Sequence, residues 1–387
     1  MIIPQHRAIA ETVRRLVDRN KSVTAVHLVA RTLSEIELEA RTKGTPPSSA
    51  ERASLLNLRG VAHAAQGNDA AAAADFAAAA DLAPCWAVPL LNLGLHHKAA
   101  LRWEQAADCL RRAHRLIECP HRNPSDRMLS NKIEANLGTA LAALGKFDEA
   151  RAAWGVNPED RRTDLGLGQM SLPTKGPYSV ERVWVQRIDR ARARILSVVR
   201  YAGPCQFGDV VLCERPPVGE YCDGLLDPDD DDDQGDSLEF LAVSEPGNFV
   251  LHTVQGPAAT PTQAMALTER MREQGLHIEV WSLTMRLPGR GDAESVADRG
   301  SGDPDTRPLC AGLVVAQGPE GKGETPIAGV SHDPRITAEK AVAMLRATGT
   351  EVKLDLYYPT LQAAAGDDLG ALRHKRAVAK LLGTSAK

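Results

Sequence analysis

The chain has 387 residues, 43% hydrophobic and 25% charged, with a formal net charge of −4. That length supports two or three domains with cores of their own, and the slightly acidic balance supplies no basic field to draw in nucleic acid or a membrane surface. No stretch approaches the roughly 18 uncharged apolar residues of a membrane span, and the first twenty residues hold no signal-peptide run, so a cytoplasmic protein is expected.

Residues 5–43 read as two amphipathic helices. Ile9, Val13, Leu16 and Val17 form one apolar stripe, and Val26, Val29, Leu33 and Ile36 form another. The breaker GTPP at 44–47 ends this pair, and Ser48-x-x-Glu51 has the form of a capping box opening the next helix. Residues 1–44 are therefore expected to be a helix pair capping the N-terminal end of a helical stack.

Three short echoes come next: LNLRG at 56–60, LNLGL at 91–95 and ANLGT at 135–139. Gly60 and Gly94 are 34 residues apart. In that register, small residues recur at positions 8, 20 and 27 of the first two units (Gly60, Ala72 and Ala79; Gly94, Ala106 and Ala113), where two helices of a pair must approach closely. Large residues recur at position 24, as Phe76, Leu110 and Trp154, to fill the gaps between helices. Glycine at position 15, as in Gly67 and Gly145, stops the first helix. Arg59 stands where leucine is usual, Leu101 replaces the glycine, and ten extra residues around IECPHRNPSD separate the second unit from the third. The alanine run at 70–81 is the second helix of the first unit. With these positions filled, residues 53–157 resemble the tetratricopeptide repeat (TPR) family of helix–turn–helix solenoids.

The resemblance implies a concave face, lined by the first helix of each unit, that binds a peptide or a helix segment. The groove residues it points to are Asn57, Val61, Leu91, Asn92, Leu95, Lys98, Lys132, Asn136 and Thr139. Asparagine amides in such a groove bond a peptide backbone whatever its sequence, and Lys98 and Lys132 can take a carboxylate. Family members that clamp C-terminal carboxylates carry lysine where this chain has Asn57 and asparagine where it has Val61, so a chaperone-tail adaptor is not expected. The protein's own helix at 5–19 or 367–382 is the competing occupant. The pair His96-His97 falls within this register, His97 matching His63 at position 11. Neighbours on a helix point about 100° apart, so the two rings are read as packing and not as metal ligands.

Residues 158–178 are polar and rich in Gly and Pro, and read as a linker. Beyond them, β-branched and aromatic runs at 180–188, 193–201, 208–214 and 238–255 predict strands, the last broken by the turn EPGN. A helix at 260–275 and a strand at 277–285 come next, then a polar loop at 288–307, a strand at 309–316, a helix at 337–348, a strand at 350–358 and a helix at 367–382. The expected fold class is thus mixed: an all-α TPR-like solenoid over 48–157, then an α+β domain with an antiparallel sheet over 179–387, open to a split near 288–308.

Candidate chemistry in the second half is thin. The seven aspartates of DPDDDDDQGD at 227–236 miss the calcium-loop pattern, since Leu241 stands where its glutamate belongs, and read as a solvated loop. GPEGKGE at 318–324 lacks the first glycine of a phosphate loop. Seven cysteines include no C-x-x-C pair; Cys205, Cys213 and Cys222 are the nearest to a cluster, and Cys310 with His332 or Cys205 with His252 are the conceivable thiol–histidine pairs. No cofactor, metal or catalytic residue is expected. The expected function is a protein–protein adaptor. The alternative is an enzyme or small-ligand sensor in the C-terminal half, positioned by the repeats.

Overall fold

The structure is a computed structural model. It describes residues 7–118, 127–157, 165–175, 179–201, 203–214, 237–247, 249–281, 307–316 and 336–381. These divide into two compact units: the residues up to 157 together with Glu214 form one, and the remainder form the other.

The first unit is helical: α1 (Arg7–Asp18), α2 (Ser22–Lys43), α3 (Ser49–Ala65), α4 (Asp69–Leu82), α5 (Ala87–Ala99), α6 (Trp103–Glu118), α7 (Arg127–Ala143) and α8 (Phe147–Ala153). Each helix packs on the next in sequence, and α1, α3, α5 and α7 also touch one another in succession. The α1–α2 pair continues that order, its Ala10, Val13, Ala25 and Val29 sharing a core with Leu55, Leu58 and Ala62 of α3. The predicted capping box is present at α3. Ser48 Oγ accepts from the Glu51 N–H at 3.2 Å, and Glu51 Oε2 accepts from the Ser48 N–H at 2.9 Å.

Close approach within the pairs has a visible cause. A Cβ on Gly60 would meet the Phe76 ring at 2.6 Å, one on Gly94 would meet Leu110 at 2.7 Å, and one on Gly138 would strike the Trp154 indole. Each large residue lies sixteen positions after its glycine, on or just past the partner helix. The turns within these pairs also share one form. The N–H groups of Asn68, Arg102 and Lys146 donate to the carbonyls of His63, His97 and Leu141, closing each first helix. Such a turn needs a left-handed residue, and Gly67 (φ 75°) and Gly145 (φ 72°) supply it. In the middle pair Leu101 adopts the same conformation at φ 55°.

The second unit is mixed α and β. Strands β1 (Leu167–Pro173), β2 (Val180–Arg187), β3 (Arg192–Ile195), β4 (Val210–Glu214) and β5 (Ser237–Glu245) close a barrel in that order. Strand β1 pairs antiparallel with β2 and parallel with β5. Met170, Leu172, Val183, Val185, Ile195 and Val211 fill the barrel interior. A separate sheet has the order β6 (Phe249–Ala259), β8 (Arg307–Ala316), β7 (His277–Val280), all antiparallel. Helices α9 (Pro261–Glu273), α10 (Ala338–Glu351) and α11 (Pro359–Ala364) share its core, and α12 (Asp368–Leu381) packs on α11.

Several expectations are corrected here. The second half is not one antiparallel sheet: it contains a closed barrel in which β1 and β5 pair parallel. The linker expected at 158–178 contains β1, whose residues alternate between buried and exposed even though Gly168 and Pro173 lie within it. The strand expected at 350–358 is absent: α10 runs on to Glu351, and only an isolated bridge joins Tyr357 to Gln255. The split near 288–308 does not occur, because β8 pairs with both β6 and β7. The aspartate run at 227–236, the GPEGKGE stretch, Cys222 and His332 lie outside the described residues. Among the described residues, no helix is long and apolar enough to cross a membrane.

Candidate peptide-binding site

The nine residues singled out in the sequence lie on α3, α5 and α7. The structure joins four of them into two polar pairs. Asn57 and Asn92 are fully buried, and Asn92 Nδ2 donates to Asn57 Oδ1 at 3.0 Å. Asn136 is also fully buried. Its Nδ2 donates to the Lys132 carbonyl at 2.8 Å, and its Oδ1 accepts from Lys98 Nζ. A buried amide is costly unless its hydrogen bonds are made, so each pair ties one helix to the next in a fixed register. Leu91 and Leu95 are buried beside them, and Val61 is half-buried. Thr139 does not join the polar pairs, its hydroxyl donating to the Ala135 carbonyl of its own helix at 3.0 Å. Lys132 is half-buried. Ser54, on the same helix as Asn57, holds its hydroxyl buried with no hydrogen-bond partner among the described residues.

Lys98 is the charged centre of the site. Only 4% of it is exposed, and its ammonium forms an ion pair with the Glu214 carboxylate. Glu214 ends strand β4 and clusters with the helical unit, the division falling after Cys213. An ammonium withdrawn from water this far needs a counter-charge and satisfied hydrogens, and Glu214 Oε2 with Asn136 Oδ1 provides both. Glu214 is the site residue that sequence reasoning missed. It lies 116 positions from Lys98, and nothing in VVLCE marks its glutamate as a partner for an α5 lysine. Of the two terminal helices considered as occupants, α1 packs on α2 and α3 within the helical unit, and α12 packs on α11 within the other.

The histidines are packing residues. The His96 and His97 rings lie 5.9 Å apart at 60°, and burial pushes both pKa values below the ordinary imidazole value. Arg59 owes its unusual position to Asp75 on α4, which it grips at 2.8 and 2.7 Å through Nε and Nη2. In the second unit, His252 Nδ1 lies 3.2 Å from Thr360 Oγ1, and burial lowers its pKa too. Burial pushes the Cys109 thiol up to about 11, Cys205 up to about 12, and Cys310 upward. Thiols so shifted are protonated at neutral pH and poorly nucleophilic. Cys205 sits in the barrel core, while His252 is engaged with Thr360.

No protein-family model matches this chain, and no curated protein sequence matches it.

Proposed function

We propose that the helical unit is a TPR-type solenoid and that the face formed by α3, α5 and α7 binds an extended segment of a partner protein, which makes the chain an adaptor. The observation that carries this reading is the seat of Glu214: a residue from outside the helical pairs has its carboxylate on Lys98, which also bonds Asn136 as Asn92 bonds Asn57. A face that holds one polypeptide side chain in this way has the chemistry to hold others. The second unit acts as a further binding or regulatory module.

The test uses positions on this face that are not fully buried. Ala64 is half-buried and Ala99 is exposed, so arginine at both should alter the face and leave the helical packing intact. Proteins that co-purify with the wild-type chain should be lost from Ala64→Arg plus Ala99→Arg, with an unchanged melting temperature. Retention of the same partners at equal strength would remove this face as the binding site.

A further inference from the structure

We propose that the outer face of the barrel, from β1 to β3, binds single-stranded nucleic acid, with Trp184 as the platform on which a base stacks and Arg182 and Arg194 as the phosphate contacts. The proposal extends the reading of the second unit as a binding module and is independent of the helical face.

Strand alternation builds this face. Val183 and Val185 point into the barrel core, so Arg182, Trp184 and Gln186 point outward along β2. Trp184 is 52% exposed, and the register sets Gln169 of β1 directly opposite it. On the other side, Ala193 and Ile195 point inward, and Arg194 stands outward opposite Gln186. Residues two apart on a strand are separated by about 6.8 Å. Along β2 the face thus presents an arginine one such step to either side of the indole, the second of them reaching in from β3. A base of any identity has a flat face to lay on the ring, and the phosphates that bracket it meet the two guanidinium groups.

The charges are available. Arg182 is exposed and Arg194 half-buried, and neither has a carboxylate partner among the described residues. Their acidic neighbours are engaged elsewhere. Asp189 Oδ2 accepts from Arg192 Nε at 2.7 Å, and Glu181 accepts the Arg200 and Tyr201 N–H groups at 3.0 and 3.1 Å. Glu239 of β5 is two strands away from Arg182, about 10 Å. Residues 167–195 hold six lysines and arginines against two acidic residues, so the local field is positive although the whole chain carries −4. An acidic peptide would satisfy the arginines and leave the indole without a stacking partner; a single strand satisfies both.

Fluorescence anisotropy tests this with labelled oligodeoxyuridylate and oligouridylate of about twelve nucleotides, each titrated with the full-length chain at low salt. The same strands in duplex form and polyglutamate of equal charge are the comparisons. A single strand should bind at least about tenfold tighter than either, because paired bases and carboxylates cannot stack on the indole. The tighter of the two strands identifies RNA or DNA as the source. Trp184→Ala should weaken binding about tenfold or more, and Trp184→Phe should restore most of it. Arg182→Gln should lower the slope of log Kd against log salt by about 0.7. Should Trp184→Ala fail to fold, as judged by its melting curve, the salt slope of Arg182→Gln decides. Proteins that co-purify with the wild-type chain should remain on Trp184→Ala, which separates this site from the helical face. No binding of either strand, equal binding by Trp184→Ala and wild type, an unchanged salt slope, or equal affinity for polyglutamate overturns the proposal and leaves the helical face standing.

Discussion

Among single residues, Leu101 is the clearest departure from what its position requires. The turn after α5 matches those after α3 and α7, yet it has leucine where they have glycine. A left-handed conformation costs a non-glycine residue about 1–2 kcal/mol. Glycine would return about 0.4–1 kcal/mol of that through the greater freedom of the unfolded chain. Leu101 is 49% exposed, so its side chain contributes little burial to set against the strain. Leu101→Gly should therefore stabilise the helical unit by about 0.5–1 kcal/mol. Urea unfolding measures this, and a loss of stability would mean that the side chain packs more than its exposure indicates.

Between elements, the Arg59–Asp75 contact joins α3 to α4 where an apolar pair would be ordinary. The Asp75 side chain is 9% exposed and that of Arg59 29%. Arg59→Leu leaves a buried carboxylate without its guanidinium and should cost about 2–3 kcal/mol, below the range for a fully buried pair because the arginine still reaches solvent. Arg59→Leu with Asp75→Leu should cost less than the two single changes summed, by at least about 1 kcal/mol. Additive costs in that double-mutant cycle would show that the contact is incidental. The helical elements are legible in the sequence because a period of 34 residues repeats the same steric demands, glycine against a large side chain and a left-handed turn between helices. In the second half, β1 reads as linker because Gly168 and Pro173 fall inside it; its inward face of Met170 and Leu172 acquires meaning only once β2 and β5 flank it. The stretch after α10 alternates like a strand, but its chain turns at Lys353 (φ 57°) and finds only one bridge on β6.

At the scale of the molecule, four described histidines are shifted in one direction. His96 and His97 in the helical unit, and His252 and His374 in the other, all have pKa values lowered by burial. His374 Nδ1 also accepts the Tyr358 N–H at 3.1 Å, a role that protonation of that nitrogen would end. A histidine whose folded pKa lies below its unfolded value binds protons more readily when unfolded. Stability is then complete above the ordinary imidazole value of 6.5 and falls as pH drops below it. Thermal unfolding followed from pH 7.5 to 5.5 should show the melting temperature of both units decreasing, and a flat profile would show these imidazoles to be solvated.

The helical pairs of the first unit, their turns, the α3 cap and the residues along α3, α5 and α7 are all readable from the linear order of residues. They arise from local spacing and sterics, which such an order records. Three features emerge only in the folded chain: five strands close a barrel apart from the three-stranded sheet, Asn92 meets Asn57, and Glu214 sits on Lys98. Strand partners and a buried ion pair are chosen by long-range packing and by the cost of leaving a charge dry and unpaired, and a separation of 116 residues carries no local trace of either.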